Sequence, residues 1–247
     1  MRLLLSVCLA SLVACTGDQP PASVPAKPDK PSEPIEHSPG HGPEAHVQAE
    51  PAADLSSVPE ALRDPSALTA TAPAAYKVRL KTTEGDIVIA VTREWSPNGA
   101  DRLYNLVQAG YFEDVAFFRN IAGFMVQFGI HGEPAVNEIW REAKIADDEV
   151  VKSNTPGMVS FATAGKNTRT TQIFINHGNN ESLDGMGFSP VGQVVEGQDV
   201  VKKLYDGYGE GAPRGRGPRQ DQMQEVGNSY LKEAFPELDY IVSASIE

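Results

Sequence analysis

The sequence predicts an all-β domain over residues 76–247, a closed antiparallel barrel with helical caps, carried behind a long tether. Two patterns predict the barrel. Short segments of alternating apolar and polar residues recur along this stretch, parted by Gly- and Asn-rich loops, and helical spacing is confined to brief segments between them. A third observation predicts the tether: 12 of the 19 prolines fall in residues 16–75, which contain no aromatic residue.

Residues 76–82 alternate, with Val78 and Leu80 on one face and Lys77, Arg79 and Lys81 on the other. Thr83-Glu84-Gly85 turns the chain, and residues 86–92 alternate again through Ile87, Ile89 and Val91. That pattern reads as a β-hairpin. Trp95-Ser96-Pro97-Asn98 breaks the strand and offers a helix start; Ala100, Leu103, Tyr104 and Val107 follow with helical spacing until Gly110 stops them. Further strands are expected at residues 115–119, 124–129, 157–162, 172–176 and 191–195. A second helix is expected at 198–205, a short one at 229–234 before Pro236 covering one barrel end, and a closing strand at 240–246.

The N-terminal part is expected to divide into a signal peptide at 1–14 and a lipidated cysteine plus tether at 15–75. Arg2 is a short positive start, and the apolar run from Leu3 to Ala14 falls well short of the roughly 20 residues a spanning helix needs. Leu12-Val13-Ala14-Cys15 resembles a bacterial lipobox, whose cysteine receives a diacylglyceryl group. Two or more acyl chains, at about 0.8 kcal/mol per buried CH₂, anchor stably where one does not. Thr16 stands where inner-membrane lipoproteins typically carry Asp, which leans towards an outer-membrane anchor facing the periplasm. The Pro-, Ala-, Ser- and Glu-rich tether cannot bury enough apolar surface to offset its ordering entropy. It would average ~45 Å end to end as a flexible chain and reach ~190 Å as extended polyproline II. Scattered leucines suggest that residues 55–68 pack on the domain as an arm. His37, His41 and His46 are so loosely spaced that they read as polar filler rather than a metal site.

Composition excludes several function classes. With 21 Lys+Arg against 33 Asp+Glu the formal charge is −12, which disfavours nucleic acid as a partner. The two cysteines, Cys8 and Cys15, both precede the tether, so neither a disulfide scaffold nor a cysteine zinc site is expected in the domain. No G-x-S-x-G and no P-loop occur, and His131 and His177 are the domain's only histidines. Asp147-Asp148-Glu149 offers cation-binding oxygens but reads as a solvated acidic loop.

Two stretches carry a more specific signal. Phe117, Arg119, Ile121, Gly123, Phe124, Met125, Gln127 and Gly129 stand in the pattern F-x-R-x-I-x-G-F-M-x-Q-x-G. Ser160, Ala162, Ala164, Gly165, Asn167, Thr168, Gln172, Phe174 and Ile175 stand in S-x-A-x-A-G-x-N-T-x-x-x-Q-x-F-I. Leu183-Asp184-Gly185, Val191-Gly192-Gln193-Val194 and Glu196-Gly197-Gln198-Asp199-Val200-Val201 follow in order. Across residues 86–204 the set resembles the cyclophilins, the peptidyl-prolyl cis–trans isomerases. That resemblance implies an eight-stranded antiparallel barrel closed by two helices, rotation about X-Pro bonds, Pro-containing polypeptides as partners, and no metal or organic cofactor.

It also implies roles. Arg119 aligns with the catalytic arginine and Gln127 with the glutamine that holds a substrate carbonyl. Phe124, Met125, Phe174 and Leu183 align with the walls of the proline pocket, and Ala162 and Thr163 with positions along the substrate backbone. Without the resemblance, the four wall residues read as ordinary core, and strand alternation would place Phe124 and Met125 on opposite faces. The chain departs from the family at Phe118, where many members have His, at Ala122, where Pro is usual, and at Ser182, where many eukaryotic members carry a Trp that helps bind cyclosporin. A site histidine of the family is absent, and Gly187 or Phe188 falls in its place; Phe188 is the expected wall, being aromatic. The connection at residues 206–238 is longer than is common and holds Arg214-Gly215-Arg216-Gly217-Pro218-Arg219, a small basic patch that reads as an exposed loop rather than a dock for an acidic partner or surface. The expected protein is a monomeric, lipid-anchored isomerase of exported chains. The alternatives are a Pro-segment binding or chaperone module without turnover, and a tethered envelope scaffold.

Overall fold

The computed structural model describes residues 55–247, so the expected signal peptide, the expected lipidation at Cys15 and the tether histidines lie outside the described residues. Strand β1 (Ala75–Thr82) and strand β2 (Gly85–Thr92) form the predicted hairpin, in register from Ala75↔Thr92 to Thr82↔Gly85. Tyr76, Val78, Leu80 and Thr82 turn inward while their neighbours face out, as period-two alternation requires. The other strands are β3 (Val115–Ala116), β4 (Arg119–Ile121), β5 (Met125–Phe128), β6 (Met158–Phe161), β7 (Ile173–Asn176), β8 (Pro190–Glu196) and β9 (Tyr240–Ile246). They make one sheet of nine strands in the order β3-β9-β1-β2-β8-β6-β7-β5-β4, every pairing antiparallel.

The two end strands of that order, β3 and β4, are consecutive in the chain and joined only by Phe117 and Phe118. A linker that short holds the sheet's ends together, so the barrel closes through the covalent chain. This also explains why the single strand expected at 115–119 becomes two. Its first part pairs with β9, its second with β5, and the Phe117 amide donates to the Asp239 carbonyl at 2.9 Å where the chain changes partner.

Helix α1 (Pro97–Gln108) plugs the barrel with Ala100, Leu103, Leu106 and Val107, against an aromatic cluster of Tyr111, Phe112, Phe117, Phe128 and Trp140 in edge-to-face contacts. Helix α2 (Pro134–Trp140), unanticipated from the sequence, supplies Trp140. Helix α3 (Gln198–Val201) is shorter than expected, because the next backbone groups bond elsewhere: the Leu204 carbonyl accepts from Asn120 and the Tyr205 amide donates to Asp239. Helix α4 (Gln220–Val226) was also not foreseen, while α5 (Asn228–Ala234) matches the short helix before Pro236. Among the described residues no helix is long and apolar enough to cross a membrane.

Residues 55–74 differ from a tether and take the form of the leucine-bearing arm. They make three 3₁₀ turns, bury Val58, Leu62 and Ala72, and bond through the Leu62 carbonyl to the Trp140 indole at 2.9 Å. Asn105 of α1 clasps both the amide and the carbonyl of Ala70. Burying Leu62 is worth about 1.5–3 kcal/mol, and together with Val58, Ala72 and these hydrogen bonds it offsets part of the strap's ordering entropy.

Asp148 departs from the solvated-loop expectation for the acidic triplet, whereas Glu149 is exposed. The Asp148 side chain is 4% exposed and pairs with Arg169 Nη2 at 2.9 Å. It also accepts the Ser96 hydroxyl at 2.6 Å and the Asn98 and Gly99 amides, each at 3.0 Å. A carboxylate from 50 residues away thus caps α1, satisfying orphan amides and facing the positive end of the helix dipole. Ser96 does not cap its own helix and instead donates to this cap.

Candidate active site

Strand pairing places the two polar residues singled out from the sequence. Arg119 of β4 is the register partner of Gln127 of β5, and Gln127 is the partner of Phe174 of β7. Cross-strand partners share a face, so this row points one way while the next row, with Val126, Ile175 and Val159, fills the core. Met125 lies two residues from Gln127 and joins the outer row. Phe124 sits in the turn before β5 rather than in the strand, so alternation does not govern it. That resolves how adjacent residues face one site.

These side chains line one open pocket of about 430 Å³. Arg119, Gln127, Phe124, Met125, Phe174 and Leu183 border it, and so do Ala162, Thr163 and Phe188. The structure therefore brings together every domain residue anticipated for the site. Phe188 stacks edge-on against Phe174, ring centres 5.7 Å apart, so the aromatic choice over Gly187 has a packing basis. Phe118 instead is buried in a second apolar cluster with Ile130, Met223 and Leu231. Ser182 is exposed in the 3₁₀ turn Glu181–Met186.

The polar groups form a chain. Arg119 Nη1 donates to Gln127 Oε1 at 3.0 Å, and Gln127 Nε2 donates to Gln172 Oε1 at 2.8 Å. The guanidinium carbon lies 5.8 Å from the centre of the Phe124 ring, a cation–π distance. On its other edge Arg119 makes a two-point ion pair with Glu210, Nε to Oε1 at 2.6 Å and Nη2 to Oε2 at 2.7 Å. The Arg119 guanidinium beside it holds the Glu210 carboxyl below the usual carboxylate value, against the opposing effect of burial. The Thr163 hydroxyl bonds within its own loop, to Gly165 and Thr168, and thereby shapes the groove edge.

Sequence reasoning missed two layers. The first is a buried asparagine frame behind the pocket. Asn180 donates to the Phe124 carbonyl at 2.8 Å and to Asn176 at 2.7 Å, while Asn154 donates to the Phe188 carbonyl at 2.8 Å and to Asp184 at 2.7 Å. It pins the backbone of two pocket walls. The second is Glu210 with Arg214 and Gln220, contributed by the long connection to the pocket rim. Glu210 meets its partner 91 residues away, and no local pattern signals such a contact. Among the described residues no group of three or more His, Cys, Asp or Glu is arranged to hold a metal ion.

The comparisons with known proteins agree in kind. The family model for cyclophilin type peptidyl-prolyl cis-trans isomerase/CLD matches residues 77–227. Peptidyl-prolyl cis-trans isomerase-like 3 of Rhizopus delemar is 37% identical over 140 residues, covering 52% of this chain and 81% of that protein. The Homo sapiens protein of the same name is 37% identical over 134 residues, 51% of this chain and 80% of that one. Peptidyl-prolyl cis-trans isomerase CYP18-1 of Arabidopsis thaliana is 33% identical over 144 residues, 54% and 86% of the two chains. Among solved structures, a cyclophilin type isomerase of Cryptosporidium parvum superposes with a TM-score of 0.53 at 21% identity, covering 70% of this chain and 98% of its own. The same protein in the presence of the dipeptide ala-pro gives 0.50 at 20% identity, covering 69% and 98%. At that identity the likeness is one of fold.

Proposed function

The chain belongs to the cyclophilin type peptidyl-prolyl cis-trans isomerases, and from that membership we propose that Arg119 catalyses rotation about X-Pro bonds in the pocket it borders. One observation carries this reading: the Arg119 fork, fixed by Gln127 and Glu210, stands beside the Phe124, Met125, Phe174, Leu183 and Phe188 walls of one pocket. The apolar walls take the proline ring. Rotation faces ~18–20 kcal/mol because amide resonance must be broken. In the twisted transition state the prolyl nitrogen regains a lone pair, and a donor aimed at it stabilises that state more than the planar one. Arginine suits the task, being always charged and presenting several N–H groups in a rigid fork. Gln127 holds a substrate carbonyl beside it. No acid, base or covalent step is needed, which fits a pocket built without a nucleophile–histidine pair. The test is isomerisation of a Pro-containing tetrapeptide by the intact protein. A rate well above the uncatalysed one is expected; capture of the peptide without acceleration would move the reading to the binding or chaperone module.

The substrates we propose are exported polypeptides, met by a monomer tethered through lipid on Cys15 to the outer membrane and facing the periplasm. The lipobox-like Leu12-Val13-Ala14-Cys15 supports this part. Cells expressing the full chain with a labelled fatty acid should incorporate label into the protein. Cys15→Ser should abolish that incorporation, and label persisting in the variant would reject the anchor.

Cyclosporin should inhibit poorly, since the small exposed Ser182, next to the pocket-lining Leu183, aligns by resemblance with the Trp that helps bind it in many eukaryotic members. An inhibition titration checks this, and sub-micromolar potency would contradict it.

A further inference from the structure

The long connection after α3 does more than span the barrel. Its backbone folds on itself: the Gly217 amide donates to the Glu210 carbonyl at 2.8 Å, the Gly215 amide to Gly211 at 3.1 Å and the Ala212 amide to Gly217 at 3.1 Å. An aromatic chain of Tyr205, Tyr208, Phe235 and Tyr230 ties the base of this loop to α5, with ring centres 4.9, 5.0 and 5.5 Å apart. The Glu210 carboxylate is held from both sides, by its neighbour's Gly211 amide at 2.9 Å and by Arg119. A side chain so fixed is not a swinging lid.

The ion pair stands in a wall shared by two cavities. On one side is the proline pocket of about 430 Å³; on the other lies a second cavity of about 330 Å³, bordered by Phe118, Pro213, Pro218 and Asp221. Arg119, Glu210, Arg214 and Gln220 border both. A long arginine side chain with empty space behind it has rotamers that point away from the pocket. Apart from Glu210, the fork has Gln127 Oε1 at 3.0 Å and the weak Met125 Sδ contact at 3.8 Å, both on Nη1, and the face of Phe124. The two-point pair with Glu210 fixes the plane of the fork as well as its position.

We propose that Glu210 is a positioning residue of the isomerase site, whose carboxylate keeps the Arg119 guanidinium turned to the proline pocket and out of the cavity behind it. The inference rests on the reading of Arg119 as the catalytic group and adds a residue from outside the motif that identified it. It also gives the extended connection a purpose: to deliver one carboxylate to a site built by strands far away in sequence. A donor misplaced by about 1 Å can cost up to about 10²-fold in rate, so loss of the clamp should appear in turnover rather than in peptide affinity.

The test compares the intact wild-type protein with Glu210→Ala, Glu210→Gln, Arg119→Ala and the double Arg119→Ala/Glu210→Ala variant on one tetrapeptide, separating kcat from KM. Glu210→Ala should lose on the order of tenfold in kcat, with KM within about twofold. Glu210→Gln, which keeps one acceptor oxygen, should recover part of the loss. In the Arg119→Ala background, removing Glu210 should cost nothing more, because its effect runs through the arginine. The Arg119 Nε–H signal in an NMR spectrum should exchange slowly with water in the wild type and quickly in Glu210→Ala. A higher kcat in Glu210→Ala would overturn the proposal, making the carboxylate a competitor of substrate. So would an unchanged kcat, or an equal further loss in the double variant. An inactive wild type would instead overturn the functional reading on which the proposal stands.

Discussion

Arg119→Ala should lower kcat/KM for an X-Pro peptide by about 10²–10³-fold, the scale seen when one preorganised donor is removed from a transition-state site. The size follows from how little else the site offers. The apolar walls bind the planar and twisted states about equally, and such uniform binding does not speed rotation. Gln127, which on this reading steadies a carbonyl, carries no charge. Arg119→Lys should keep only part of the activity, since an ammonium cannot span both the prolyl nitrogen and a nearby carbonyl as a planar fork does. The fold should tolerate either change. The Arg119 side chain is 20% exposed and that of Glu210 31% exposed, so the carboxylate left behind remains solvated. A folded Arg119→Ala protein with near-wild-type turnover would remove arginine from the mechanism.

Asp148→Ala should destabilise the domain by about 3–5 kcal/mol, the usual cost of removing one partner of a buried ion pair. Arg169, with its side chain 2% exposed, would keep its charge and lose its closest carboxylate; Asp147 stands 3.6 Å from Nε. The first turn of α1 would lose its cap in the same step. Urea unfolding measures this, and a loss under about 1 kcal/mol would show that the network relaxes around the gap. The pair also sets an acid limit. Burial alone would raise the Asp148 carboxyl, but bonds from the Ser96 hydroxyl, the Asn98 and Gly99 amides and Arg169 outweigh it and hold the group below its usual value. A depressed carboxyl gives stability that is complete above the unfolded value of about 3.9 and is lost as pH falls through the lower folded value. Stability should therefore hold from neutrality to about pH 4 and fall below it, and the fall should be shallower in Asp148→Ala.

Much of the barrel was legible because its signals are local. The hairpin of β1 and β2 is written in Val78, Leu80, Ile87 and Ile89, and α1 in Pro97, Leu103 and Val107. Much of the pocket was legible because Arg119, Phe124, Met125, Gln127, Ala162 and Phe174 stand at fixed spacing in two motifs, and the register of β4, β5 and β7 brings Arg119, Gln127 and Phe174 onto one face. What stayed hidden depends on partners far along the chain. Asp148 looks like part of a charge run until Arg169 and the start of α1 fold around it. Glu210 looks like a loop residue until the connection folds back onto Arg119. Asn154 and Asn180 lie outside the expected strands and Asn176 ends one of them, yet together they brace Phe124 and Phe188 from behind. The split between β3 and β4 likewise appears only when the chain must serve both ends of the sheet.

The most direct measurement of the central claim is exchange NMR on an X-Pro tetrapeptide, with wild-type protein and Arg119→Ala each at saturating peptide. The account predicts that both proteins bind, with resonances of Met125 and Phe174 shifting on addition of peptide, and that only the wild type drives rapid exchange between the cis and trans signals. Equal exchange in both proteins, with binding intact, would contradict it.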